Sequence, residues 1–170
     1  MKPILETARL RLREMTAGDL DFVAQMLDHP DVMRYYPQRY TSADAAEWIG
    51  RQVNRYREEG HGLWLVLAKD GGQPVGQVGL HMQDVDGTRW PEIGYLLHRP
   101  FWGQGYATEA ALGVRDHAFG SFDYERVIAL IRPDNLHSQG VARRIGLQLD
   151  GRTEHGGMEH LVFGLRRSAL

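Results

Sequence analysis

"EIGYLLHRPFWGQGYATEAALG" (Glu92 to Gly113) changes character twice within a short length of chain. Glu92 to His98 reads as a strand, and Trp102 to Ala110 sets two glycines immediately before a helix. That helix carries Ala107, Ala110, Ala111, Val114 and Ala118 on one face. A strand, a glycine turn and a helix in this order offer backbone N–H groups and a positive helix end to an anion. Gly103 and Gly105 would let the backbone approach a bulky pyrophosphate, where a Cβ would crowd it. The same dipeptide spacing also suits a plain strand-to-helix connection, so the turn alone does not decide the matter. Two other glycine motifs do not fit. A dinucleotide fingerprint needs a third small residue where Thr108 stands and an acid at the end of the next strand, whereas Glu125 precedes that strand. A Walker loop needs Gly-Lys-Ser/Thr, and no lysine follows Lys69.

Reading outward, Leu63 to Ala68 is a continuous apolar run and Val75 to Gln83 its hairpin partner. Val78, Leu80 and Met82 then share one face, and Gln77, His81 and Gln83 the other. The turn "DVDGT" leads into the strand at Glu92. On the far side of the glycine turn, Arg126 to Ile131 is a buried strand. A helix follows, capped by Asn135 and ended by Gly146. Two strands, Gln148 to Arg152 and Met158 to Leu165, close the chain. Toward the amino terminus, Ala8 to Glu14 alternates as a strand, and Thr16 and Asp19 have capping-box spacing. The first helix shows Leu20, Val23, Ala24 and Leu27 on one face. A second, capped by Ser42, shows Ala45, Trp48, Ile49, Val53 and Tyr56. There is no repeat and no linker, so the expectation is one α+β domain over residues 1–170.

Composition removes several function classes. The 170 residues carry a formal net charge of -2, and no global positive field recruits nucleic acid or an acidic membrane. Cysteine is absent, which removes disulfides, thiolate catalysis and cysteine metal sites together. The amino-terminal "MKPILETARLRLRE" has no apolar run of signal-peptide or membrane-spanning length. A cytoplasmic protein is the expectation.

"EIGYLLHRPFWGQGYATEAA" followed by "NLHSQGVARRIGL" resembles the GNAT superfamily of acetyl-CoA-dependent N-acetyltransferases. The chain is most similar to the branch containing the ribosomal-protein N-terminal acetyltransferases. "TARLRLREMTAGDLD", "HPDVMRYYP" and "MEHLVFGL" extend the likeness over essentially the whole chain. The general family loop, Gln/Arg-x-x-Gly-x-Gly/Ala, falls on Trp102, Gly105 and Ala107, with tryptophan replacing the long polar residue. The resemblance implies a mostly antiparallel, splayed sheet of six to seven strands flanked by about four helices. It implies that Trp102, Gly103, Gln104, Gly105, Tyr106, Ala107 and Thr108 wrap the pyrophosphate of acetyl-CoA. The pantetheine arm would lie along the strand near Leu96 and Leu97, with Asn135 also on the arm.

Moving an acetyl group from a thioester to a primary amine needs three services: a proton must leave the amine, an oxyanion must be stabilised, and the departing thiolate must be protonated. The resemblance places Ser138 near the sulfur as donor to the thiolate. For the base, Glu92 and His81 are both candidates on neighbouring strands. Tyr35, Tyr36 and Trp90 are candidates for the acceptor pocket. "EHGGMEH" (Glu154 to His160) has metal-like spacings, but its two glycines read better as a hairpin turn, and no metal is expected. The partners implied are acetyl-CoA and an amine, small molecule or protein N-terminus, with a homodimer as the common assembly of such chains. Two other readings stay open: a non-catalytic module that senses acyl-CoA or an amine, and an acyltransferase that uses a longer acyl-CoA.

Overall fold

The computed structural model describes residues 1–170. Its chain order is β1 (Leu5–Glu6), β2 (Leu10–Arg13), α1 (Leu20–Asp28), α2 (Ser42–Glu58), β3 (Leu63–Ala68), β4 (Pro74–Val85), β5 (Thr88–Leu97), α3 (Tyr106–Ser121), β6 (Arg126–Ile131), α4 (Leu136–Arg144), β7 (Gln148–His155) and β8 (Met158–Arg166). The strands form one open sheet in the order β1-β2-β3-β4-β5-β6-β8-β7. Only β5 and β6 run parallel. The sheet thus has eight strands rather than six or seven, and the addition is β1, which pairs Leu5 with Leu12 and Glu6 with Arg11. A two-residue strand shows no periodicity for a sequence reading to find.

Successive side chains of a strand point to opposite faces, and here each face has its own core. On one side Leu10, Leu12, Trp64, Val66, Val78, Leu80 and Phe163 meet Ala110, Ala111 and Val114 of α3 and Val141 and Ala142 of α4. On the other, Leu63 and Leu65 meet Val23, Met26 and Leu27 of α1 and Ala45 and Ile49 of α2. The buried stripe of α1 includes Met26, while Ala24 is only half-buried. The cap of α2 is Thr41 rather than Ser42. Thr41 and Asp44 exchange side-chain-to-backbone hydrogen bonds as a capping box, which satisfies amides the helix leaves open.

Pairing strength is uneven across the sheet. β4 and β5 stay in register from Gly76↔Leu97 to Val85↔Thr88, because a tight turn at Asp86 and Gly87, both at positive φ, joins them. β5 and β6 register at a single pair, Glu92↔Ile128, and diverge beyond it. This opening, the amino end of α3 and the amino end of α4 together position the site. No helix is long and apolar enough to cross a membrane.

Candidate active site

The glycine turn forms one wall. Gly103 and Gly105 have φ of 74° and 78°, the left-handed region that glycine enters without strain, and Gly105 caps α3. A Cβ on Gly103 would meet nothing, so its space is open to a ligand. Gly103, Gln104 and Gly105 are exposed, and Tyr106, Ala107 and Thr108 form the first turn of α3, whose amides have no partner within the helix. Trp102 turns inward. Its Nε1 donates to the Leu97 carbonyl at 2.9 Å, and the Arg99 guanidinium lies 4.8 Å from its ring centroid. The residue braces the turn from within and leaves the glycine backbone exposed.

A second brace comes from Arg9, which the sequence alone does not set apart from the chain's other arginines. Its Nη1 donates to the Gln104 carbonyl at 2.9 Å, its Nε to Glu109 at 2.6 Å, and its guanidinium covers the Tyr106 ring at 4.7 Å.

Between β5 and β6 the backbone itself is the feature. His98 donates to the Val75 carbonyl at 2.9 Å, and Leu96 registers with Gln77. Hydrogen bonding alternates along an antiparallel pair, so the backbone of Leu96 is spent on β4. The groups facing the opening belong to Tyr95 and Leu97. Sequence reading names Leu96 and Leu97 for the arm; in the structure Leu96 lines the cavity, and by the register Tyr95 and Leu97 are the residues whose backbone faces the opening. Since Trp102 occupies the Leu97 carbonyl, Leu97 presents its N–H.

A cavity of about 380 Å³ lies against this opening, and it gathers the three catalytic candidates, Ser138, His81 and Glu92, with Tyr35, Tyr36, Leu96 and Asn135. Glu92 and His81 are opposite each other across β4 and β5. The Glu92 Oε2 accepts from His81 Nε2 at 2.7 Å, and the Gln83 amide nitrogen lies 3.3 Å from the same ring nitrogen. Burial pushes the Glu92 carboxyl up, but His81, Gln83 and the Leu130 N–H outweigh it and hold it below the usual carboxylate value. Since a carboxylate only accepts, Nε2 carries the proton. The buried Nδ1 of His81 has no partner. The two base candidates are one hydrogen-bonded unit.

Asn135 caps α4 by accepting from the Ser138 N–H at 3.1 Å. The Tyr95 hydroxyl donates to the Ser138 carbonyl at 2.6 Å and fastens that first turn to β5. Burial, with the nearby Glu92 charge adding to it, pushes the Tyr95 phenol above the ordinary tyrosine range, so it stays a donor. Tyr35 donates to the Asp134 carbonyl at 3.4 Å, and Tyr36 is exposed at 42% where it borders the cavity mouth. Trp90 does not join them. β5 extends four residues before Glu92, to Thr88, and so carries Trp90 toward the hairpin end, where the Arg126 guanidinium lies 4.7 Å over its ring. Trp48, expected only as a helix-stripe residue, donates from Nε1 to Gln77 Oε1 at 2.9 Å beside the cavity. Gly156 and Gly157, both at positive φ, form the β7–β8 turn, which brings His155, Met158 and His160 to the rim.

Comparison with known proteins agrees with this architecture. The family model for the acetyltransferase (GNAT) domain matches residues 9–148. The chain is 37% identical over 149 residues to YkkB of Bacillus subtilis, covering 86% of each. Among solved structures, an acetyltransferase from Agrobacterium tumefaciens superposes with a TM-score of 0.84 at 26% identity, covering 98% of this chain and 96% of that one. RimL, a ribosomal L7/L12 alpha-N-protein acetyltransferase solved in complex with coenzyme A, shares the fold with a TM-score of 0.79 at 17% identity, covering 99% of this chain and 100% of that one. The chain belongs to the GNAT acetyltransferase family.

Proposed function

We propose that this protein transfers an acetyl group from acetyl-CoA to a primary amine by direct attack, with both substrates bound at once. The observation that carries the reading is the His81–Glu92 pair, set in a cavity beside the opening between β5 and β6. RimL, which has this fold, holds coenzyme A, and the site here suits the same ligand. The exposed glycine turn and the first amides of α3 offer donors to a pyrophosphate. The backbone of Tyr95 and the N–H of Leu97 can pair with the amides of an extended arm as an added strand would.

Acetyl-CoA supplies the activated acetyl group. The His81–Glu92 pair takes the amine proton as a unit, with Glu92 fixing the ring through Nε2–H and steadying the imidazolium that forms. This ordering follows from the depressed carboxyl, which makes Glu92 alone a weak base. A backbone N–H on the opening, that of Leu97 or Tyr95, stabilises the carbonyl oxygen as it gains charge. The Ser138 hydroxyl, at the cavity wall, gives the departing thiolate a proton. Nitrogen gains the acyl carbon and sulfur loses it; His81 passes the amine proton to solvent and Ser138 regains one from it, so both side chains end the turnover as they began.

The test is free-thiol release from acetyl-CoA across a panel of amines and peptides, with Gly105→Val as the site control. A β-branched residue resists the φ of 78° and blocks the anion site. The KM for acetyl-CoA should rise about tenfold or more, with the circular dichroism of the parent retained. Thiol release that ignores this substitution would refute the placement of the cofactor, and a folded, acetyl-CoA-binding protein that releases no thiol would favour the sensing module.

A further inference from the structure

The cavity is lopsided in charge. Glu92 is the only carboxylate on its wall, and His81 already engages it, while two arginines, Arg55 and Arg132, stand on the same wall. Arg55 lies within reach of Gln52 Oε1 at 3.4 Å. Arg132 has no such partner. Alternation along β6 sends Val127, Ala129 and Ile131 into the α3–α4 core and leaves Ile128 and Leu130 on the face of Glu92, and Arg132, the first residue past the strand, lines the same cavity. The Arg132 Nε is buried without a hydrogen-bond partner, and Nη1 meets the Met158 sulfur at 2.8 Å. A thioether is a weak acceptor, and a guanidinium keeps its charge at any physiological pH. A half-buried cation with unanswered donors is costly unless something brings an oxygen to it. The planar fork suits a carboxylate, which it can hold through two parallel hydrogen bonds.

We propose that the acceptor is a small monoamine that carries a carboxylate, of free amino acid type, docked with the carboxylate on Arg132 and the amine toward His81. The inference rests on the acetyltransferase reading and names its substrate class. The Leu130 N–H donates to Glu92 Oε1 at 3.4 Å, and Arg132 follows two residues later, just past the end of β6, on the wall of the same cavity as the pair. Tyr35, Tyr36 and Trp48 leave room beside this axis for an apolar side chain. A polyamine or an aminoglycoside would bring several positive charges to a wall with one engaged carboxylate and two arginines. Such a ligand is repelled where a carboxylate-bearing monoamine is held.

The experiment compares thiol release on L-phenylalanine with L-phenylalaninamide, on L-methionine with L-methioninamide, and on spermidine and a short peptide with a free N-terminus. The amide's amine is the less basic of each pair, so a preference for the acid runs against intrinsic reactivity. The expected kcat/KM ratio of acid to amide is about tenfold or more, the penalty for leaving a built site unpaired. Arg132→Gln should bring that ratio to about one, and Arg132→Lys should recover part of it. The acetyl-CoA-induced rise in melting temperature reports that each variant is folded. Equal turnover of acid and amide, a preference for spermidine or for the peptide, or a ratio indifferent to Arg132→Gln would overturn the inference while the transferase reading stands. Absence of thiol release with every amine would overturn the transferase reading and this one with it.

Discussion

The two faces of the sheet use the same strands for opposite purposes. Against α3 and α4 the inward residues are apolar from Leu10 to Phe163, and α3 answers with Ala110, Ala111 and Ala118, small enough to lie close. Against α1 and α2 a smaller cluster around Val23, Leu63 and Leu65 closes only part of the sheet. Beyond it, Gln77, His81, Gln83 and Glu92 turn toward the cavity. A strand's period of two thus carries packing on one side and chemistry on the other. A polar residue in an inward position, rather than a special loop, marks where the second begins.

If the faces are as separate as they look, changes on each should move different observables. The largest effect belongs to the closed face. Phe163 is fully buried, and Phe163→Ala should cost about 3–5 kcal/mol in urea denaturation. The kcat/KM of the remaining folded protein should stay near that of the parent. A large activity loss at small stability cost would show that the two faces communicate.

The open face should behave the other way. His81→Gln should lower kcat/KM about a hundredfold, some 2.7 kcal/mol of barrier, and barely change the melting temperature. It should also erase the acidic limb of the pH–rate profile, whereas Glu92→Gln should lower the rate and keep a limb, because the imidazole still takes the proton. Should only Glu92→Gln erase the limb, the carboxylate takes the proton itself and the roles within the pair reverse.

The smallest effect contrasts histidines across the sheet. On the closed face His61 is buried between the Leu80 carbonyl at 3.1 Å and the Tyr124 hydroxyl at 2.8 Å, and burial holds it below the usual 6.5. Burial lowers His117 in the same way. The unfolded chain therefore takes up these protons first as the pH falls. Their contribution to stability is complete above pH 6.5 and is lost progressively below it. Glu92, depressed from 4.5, adds a further loss at still lower pH. Thermal melts between about pH 5 and 7 should show a falling melting temperature, with a shallower slope for His61→Gln. A flat profile would mean that the charged imidazoles find compensation in the folded state.

Sequence reading recovered the elements that physics makes loud. The strands Leu63–Ala68 and Arg126–Ile131 were legible to the residue, because continuous apolar runs end at turn residues. The glycine turn was legible because only glycine takes φ near 75° freely. Glu92 and His81 were picked singly. That they touch depends on cross-strand register, which the Asp86–Gly87 turn sets and periodicity does not. The same register turns the backbone of Tyr95, rather than Leu96, toward the opening, and the longer β5 carries Trp90 away from the cavity. Arg9 and Arg132 stayed invisible for a different reason. An arginine is usually a surface residue, and only tertiary contacts show that one clamps a loop and the other lacks a partner.

The single registered pair between β5 and β6 has one more consequence. By its place in the sheet β5 is a central strand, but over its last residues it has the pairing deficit of an edge. Ordinary edges lie on the outside, where any extended chain can add to them, and proteins guard them with charge or bulges. This one is enclosed by β6, so its neighbour filters what can reach it by thickness alone. The donors and acceptors left open there belong to the main chain, so side-chain replacements along Tyr95–Leu97, proline apart, leave them in place.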